Sequence, residues 1–179
     1  MGTLSNTVAP PDLARAAVEG FVRERLVIDP PAMPEGILAL RAGAFVTIRT
    51  TGGALRGCIG TVTPSCGTIA EEIIQNAISA AIRDPRFPPV APDELGGLTY
   101  GVDVLMPPEP ARGVEDLDPS IYGVIIESVS GHRRGLLLPD ITGIDTPEQQ
   151  WRAVHQKAGI PVGEPVRVER FRVTRFGKD

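Results

Sequence analysis

Apolar residues in the stretch 12–26 recur at Leu13, Ala17 and Phe21 and at Ala14, Val18, Val22 and Leu26, a spacing that stacks side chains along one helix face. This predicts a first helix. Its exit through Pro30, Pro31 and Pro34 reads as extended, because proline drives the preceding residue out of the helical region. Two β-rich runs, 44–49 and 54–60, meet across Gly52-Gly53 and predict a tight hairpin. Thr68-Ile69-Ala70-Glu71 is a capping box that opens a second helix, in which Ile69, Ile73, Ile74, Ala77, Ile78, Ala80 and Ala81 fill about half the circumference. Asn76 falls on the border of that buried arc. Pro85 stops the helix, a proline-rich loop runs to Pro92, and 99–106 reads as a strand.

The same kinds of signal then return. Runs 122–129 and 133–138 meet across Ser130-Gly131, and Thr146-Pro147-Glu148-Gln149 is a second capping box with proline at the first helical position. The third helix, with Trp151, Val154 and Ala158 on one face, ends at Gly159 with Pro161 beyond. A last strand spans 166–176. Its apolar positions change parity between Val168 and Phe171, which predicts a bulge near Glu169-Arg170. Sliding the chain by 78 positions brings Val46 onto Val124, Ile48 onto Ile126, Gly53 onto Gly131, Arg56-Gly57 onto Arg134-Gly135 and Thr68 onto Thr146. The expectation is an α+β fold with two similar hairpin-helix-strand halves, about 43–106 and 122–176, sharing one barrel-like, mostly antiparallel sheet with helices packed outside.

Length and composition narrow this picture. At 179 residues the chain fits one domain, expected over 10–176 between a flexible N-terminus 1–9 and a tail 177–179. No apolar run approaches the roughly 20 residues that span a bilayer, and residues 1–8 carry no signal-peptide pattern. Only Cys58 and Cys66 are present, too few for a disulfide framework and wrongly spaced for zinc, so a reducing cytoplasm is the expected location. A net charge of −4 leaves no global basic field, which makes nucleic acid an unlikely partner. No nucleotide-binding glycine loop occurs, and no cofactor is implied.

Read together, Leu55-Arg56-Gly57-Cys58-Ile59-Gly60, Asn76-Ala77, the run Arg83-Asp84-Pro85-Arg86-Phe87-Pro88-Pro89-Val90 and Lys157-Ala158-Gly159 resemble the AMMECR-one domain family, in prokaryotes the A component of the AmmeMemoRadiSam system. The resemblance covers about residues 10 to 176. It implies an α+β fold of two similar halves around a barrel-like sheet, no established biochemical activity, and genes that accompany a Memo-like protein and a radical-SAM enzyme as possible partners. Asp140 stands where many relatives have Gln, and Gly101 where an acidic residue is common.

The residues themselves offer chemistry around Cys58. On a strand, Arg56 and Cys58 share a face about 6.6 Å apart, and a guanidinium near a sulfur favours the nucleophilic thiolate. Cys58 and Arg56 are therefore the candidate catalytic pair. Gly57 and Gly60 leave the backbone open to a ligand or another strand, and Asn76, Arg83, Asp84 and Arg86 complete a candidate site for an unknown small molecule. Arg83 and Arg86 on a proline-stiffened loop suit a carboxylate or phosphate. The plain alternatives are that Cys58 is a small hydrophobe, since Leu136 stands opposite it in the repeat, that Arg83 answers the helix dipole, and that Asp84 pairs with Arg86. His132 and His155 have no acidic neighbours, so no metal site is expected. Asp103 and Glu127 form an acid/base pair only if the sheet joins them. Arg167, Arg170, Arg172, Arg175 and Lys178 give the last strand a basic stripe, which reads as the solvated face of an edge strand or as the surface of a non-catalytic protein- or RNA-interaction module.

Overall fold

The computed structural model describes residues 8–177, so the expected flexible segment 1–7 and residues 178–179 of the tail lie outside the described residues. The described chain is α+β, with three α-helices and seven strands. Its contacts gather into two compact units: the residues up to Val104 together with those from Thr174 on, and Leu105–Val173.

In the first unit, helix α1 (Pro10–Glu24) begins with proline in its first turn and ends at Arg25, whose left-handed φ of 58° lets its N–H cap the last carbonyls. Strands β1 (Ala44–Thr50), β2 (Leu55–Gly60) and β3 (Leu98–Leu105) form an antiparallel array in the order β2-β1-β3. Helix α2 (Ile69–Ile82) starts at the Thr68/Glu71 capping box read from sequence and packs on α1, β1 and β2. Val46, Ile48, Ile73, Ala77, Tyr100 and Val102 are among the side chains sealed between these layers. Val46 and Ile48 alternate with Thr47 and Arg49, so one face of β1 meets the helices and the other does not. A bulge falls between Ile48 and Arg49, where the register with β2 shifts by one residue.

The second unit contains β4 (Glu109–Ala111), β5 (Tyr122–Ser128), β6 (Arg134–Leu137), helix α3 (Pro147–Ala158) and β7 (Val166–Phe176), which belongs to this unit as far as Val173. α3 packs on β5 and β6 over Val124, Ile126, Val154 and Val168. Strand β4 escapes the sequence pattern because it is three residues long and carries Pro110 at its centre. Every strand pairing within the two units is antiparallel.

Two expectations about the last strand are corrected. β5 and β7 pair without a register shift from Tyr122↔Arg172 to Ser128↔Val166, so there is no bulge at Glu169-Arg170. The parity change has another cause: Val166 and Val168 face α3, whereas Phe171 is buried on the opposite face, its ring over Gly123. Nor is β7 an edge strand, since β4 pairs along it at Val168–Arg170 while β5 pairs on its other side.

The offset of 78 positions recurs in three dimensions. Thr47↔Cys58 and Ile48↔Gly57 in the first unit correspond to Ile125↔Leu136 and Ile126↔Gly135 in the second. A Cβ on Gly57 would run into the carbonyl of Ala80 on α2, and one on Gly135 into Ala158 on α3, again 78 positions later. Both hairpin glycines, Gly53 and Gly131, have left-handed φ, 87° and 74°. Both helices open with complete capping boxes.

Candidate functional site

Because Gly57 faces α2, strand alternation turns Cys58 to the sheet face away from that helix. Cys58 is half-buried there rather than sealed in the core. Its Sγ lies 3.4 Å from the hydroxyl of Thr47, directly opposite on β1. The Cys58 N–H points outward from the sheet and donates to Asp84 Oδ2 at 2.9 Å.

Asp84 is 4% exposed and accepts every donor brought to it. Arg86 donates its Nε to Oδ1 at 2.9 Å, its Nη2 to Oδ2 at 2.7 Å and its backbone N–H to Oδ1 at 3.1 Å. Hydrogen bonds from Arg86 chiefly, then from the Cys58 and Arg86 backbones, hold the carboxyl far below the usual carboxylate range despite its burial. Arg86 Nη2 also reaches the Cys58 carbonyl at 3.5 Å, so one ion pair answers both outward backbone groups of Cys58. The pair forms here because Pro85 ends α2 and turns the next residues back along β2.

Arg56 has a different task. Its Nε and Nη2 donate to the two carboxylate oxygens of Glu94 at 2.7 and 2.8 Å, and its Nη1 to the Pro88 carbonyl at 3.0 Å. The Glu94 carboxyl is lowered mainly by that contact. Arg56 and Arg86 both lie against the ring of Phe87, at 6.0 and 5.5 Å. The loop from Asp84 to Glu94 is thus stapled along β2 by side chains. Of the residues predicted for the site, Cys58, Asp84 and Arg86 come together, while Arg56 is committed to the staple. Arg83 is exposed and makes no side-chain hydrogen bond or ion pair among the described residues. Asn76 is buried, not marginal, and donates to the Ala44 carbonyl at 2.9 Å and Thr61 Oγ1 at 3.1 Å. Gly57 and Gly60 are filled by the protein itself, Gly60 by the ring of Phe45.

Sequence reasoning missed Thr47, Glu94 and Glu72. Glu72, 1% exposed, accepts from the Thr61 and Ser65 hydroxyls and the Ser65 and Cys66 N–H groups. Burial pushes its carboxyl up, but these donors outweigh it and the net shift is down. The available signal was Glu72 four residues before Asn76 on a well-buried helix. Cys66 beside it is half-buried, and burial chiefly pushes its thiol up. His155 is buried with Nδ1 donating to the Ile160 carbonyl at 3.0 Å, and no cluster of three metal-ligating side chains occurs among the described residues. Asp103 lies in the first unit, 3.7 Å from Arg175, and Glu127 in the second. The basic stripe is divided: Arg170 pairs with Glu109 and lies 4.3 Å over Tyr122, and Arg172 donates to the Tyr122 hydroxyl.

The AMMECR1 family profile matches residues 11–178. The chain belongs to the AMMECR1 family. A protein of Thermotoga maritima is 53% identical over 161 residues, covering 89% of this chain and 91% of that one. A Clostridium acetobutylicum protein is 43% identical over 165 residues, 91% of this chain, which spans only 34% of that relative. The crystal structure of an uncharacterized protein from Pyrococcus horikoshii superposes with a TM-score of 0.81 at 33% identity, covering 93% of this chain and 88% of that one. This AMMECR1 chain therefore shares its α+β fold with a solved structure. Among its described residues no helix is long and apolar enough to cross a membrane.

Proposed function

We propose that this AMMECR1 domain binds a small molecule against the Cys58 thiol on the face of β2 turned away from α2. The observation that carries the reading is an asymmetry between equivalent positions. Cys58 and its counterpart Leu136 are both half-buried in the same register, but only Cys58 has its backbone pinned by a buried carboxylate. Burying an ionised carboxylate is costly unless it is fully paired, and the second half keeps the same register without one. The test is a thermal-shift screen of metabolite-sized compounds against the wild type and Cys58→Ser. Stabilising compounds whose effect disappears in Cys58→Ser support the reading, and compounds that stabilise both equally count against it. The partners proposed with this reading are a Memo-like protein and a radical-SAM enzyme, on the family resemblance, and co-purification with the tagged chain tests them.

A further inference from the structure

Resting on that reading, we infer that the ligand of the Cys58 site is a carboxylate, received by the Nη1 side of Arg86. Asp84 takes Nε and Nη2 of the guanidinium and so fixes its plane. The ring of Phe87 lies 5.5 Å from its centre. Nη1, with two N–H groups, has no hydrogen-bond partner among the described residues, and the Arg86 side chain is 55% exposed. Its Nη2 lies 3.5 Å from the Cys58 carbonyl, which sets the guanidinium beside that residue. A cation held rigid along one edge by a buried acid, and open along the other, loses little freedom when a planar anion docks. Arg56 plays no part, because Glu94 and Pro88 occupy its nitrogens.

The experiment compares iodoacetate with iodoacetamide on the native full chain, reading modification at each cysteine by peptide mass spectrometry. Both reagents present the same carbon to the sulfur, which displaces iodide, and both consume the thiolate. Differences in thiol ionisation therefore cancel in the ratio of the two rates, leaving the contact made by the reagent's charge. Cys66 is a second reading only, since Glu71 and Glu72 beside it repel the anionic reagent. The expected iodoacetate-to-iodoacetamide ratio at Cys58 is about tenfold higher in the wild type than in Arg86→Gln, the scale of one hydrogen-bonded charge contact. Arg86→Lys should keep part of that advantage. A ratio unmoved in Arg86→Gln overturns the carboxylate assignment and leaves the thiol site standing. A Cys58 that neither reagent modifies in the native chain overturns both.

Discussion

The two hairpin-and-helix halves use the same register and the same glycine-to-alanine contact, yet only one surrounds its middle strand residue with charge. In the first, Asp84 and Arg86 answer the outward N–H and carbonyl of Cys58. In the second, the positions 78 residues further on are Val162, which is 60% exposed, and Glu164, which pairs instead with Arg133 of the β5-β6 turn. The shared parts are those that packing requires. The parts that differ lie where packing makes no demand, and there a site can be added without disturbing the fold.

The largest effect should come from the shared contact. Gly57→Ala drives a methyl into the Ala80 carbonyl, a backbone atom that cannot swing aside, and should cost about 3 kcal/mol in urea denaturation, at the upper end of overpacking. Gly135→Ala meets the Cβ of Ala158 at 2.7 Å and its backbone at 3.0 Å, a looser overlap than the 2.2 Å at Ala80, and should cost about half as much. Equal costs would mean that the two contacts are closer than their geometry indicates.

Asp84→Ala should cost about 2 kcal/mol, less than for a pair buried on both sides because Arg86 is half-exposed. Val162→Ala at the equivalent position should stay within about 0.5 kcal/mol. Since the folded Asp84 carboxyl is held below its unfolded value, its contribution is complete above roughly pH 4. Below that it declines progressively, and it is gone once the pH is below the much lower folded value. Stability measured across strongly acidic pH should therefore fall less in Asp84→Asn than in the wild type.

A smaller effect concerns the thiols. Burial raises the Cys66 thiol, so at neutral pH Cys66 should lag behind Cys58 in modification by iodoacetamide, and raising the pH should speed it. The smallest test moves the cysteine itself. Leu136→Cys places a thiol in the same register of the second half with no carboxylate and guanidinium beside it, at a cost of about 1 kcal/mol. It should be modified without preference between anionic and neutral reagents.

Much of this arrangement was legible in the sequence because its signals are local. Both capping boxes, the paired glycines and Pro85 act within four residues of the boundaries they set, and every strand and α-helix except β4 begins within two or three residues of where the pattern put it. Contacts across long stretches of chain left no such trace. Nothing near Glu94 marks it as the partner of Arg56, 38 residues earlier, and Arg56 was read as facing a ligand for that reason. The parity change in β7 was visible but ambiguous, since a bulge and a switch of the buried face produce the same pattern. Phe171 over Gly123 decides between them.

The carboxylate under Cys58 also gives the molecule a reporter of its own. Most strand amides exchange with solvent only when their ladder opens, but this amide is guarded by a side chain at the start of a loop. Its exchange rate should follow the detachment of that loop from the strand rather than the melting of the sheet. A single peptide hydrogen then records how often the Asp84–Glu94 segment lifts, while the amides that bond across to β1 keep time with the fold.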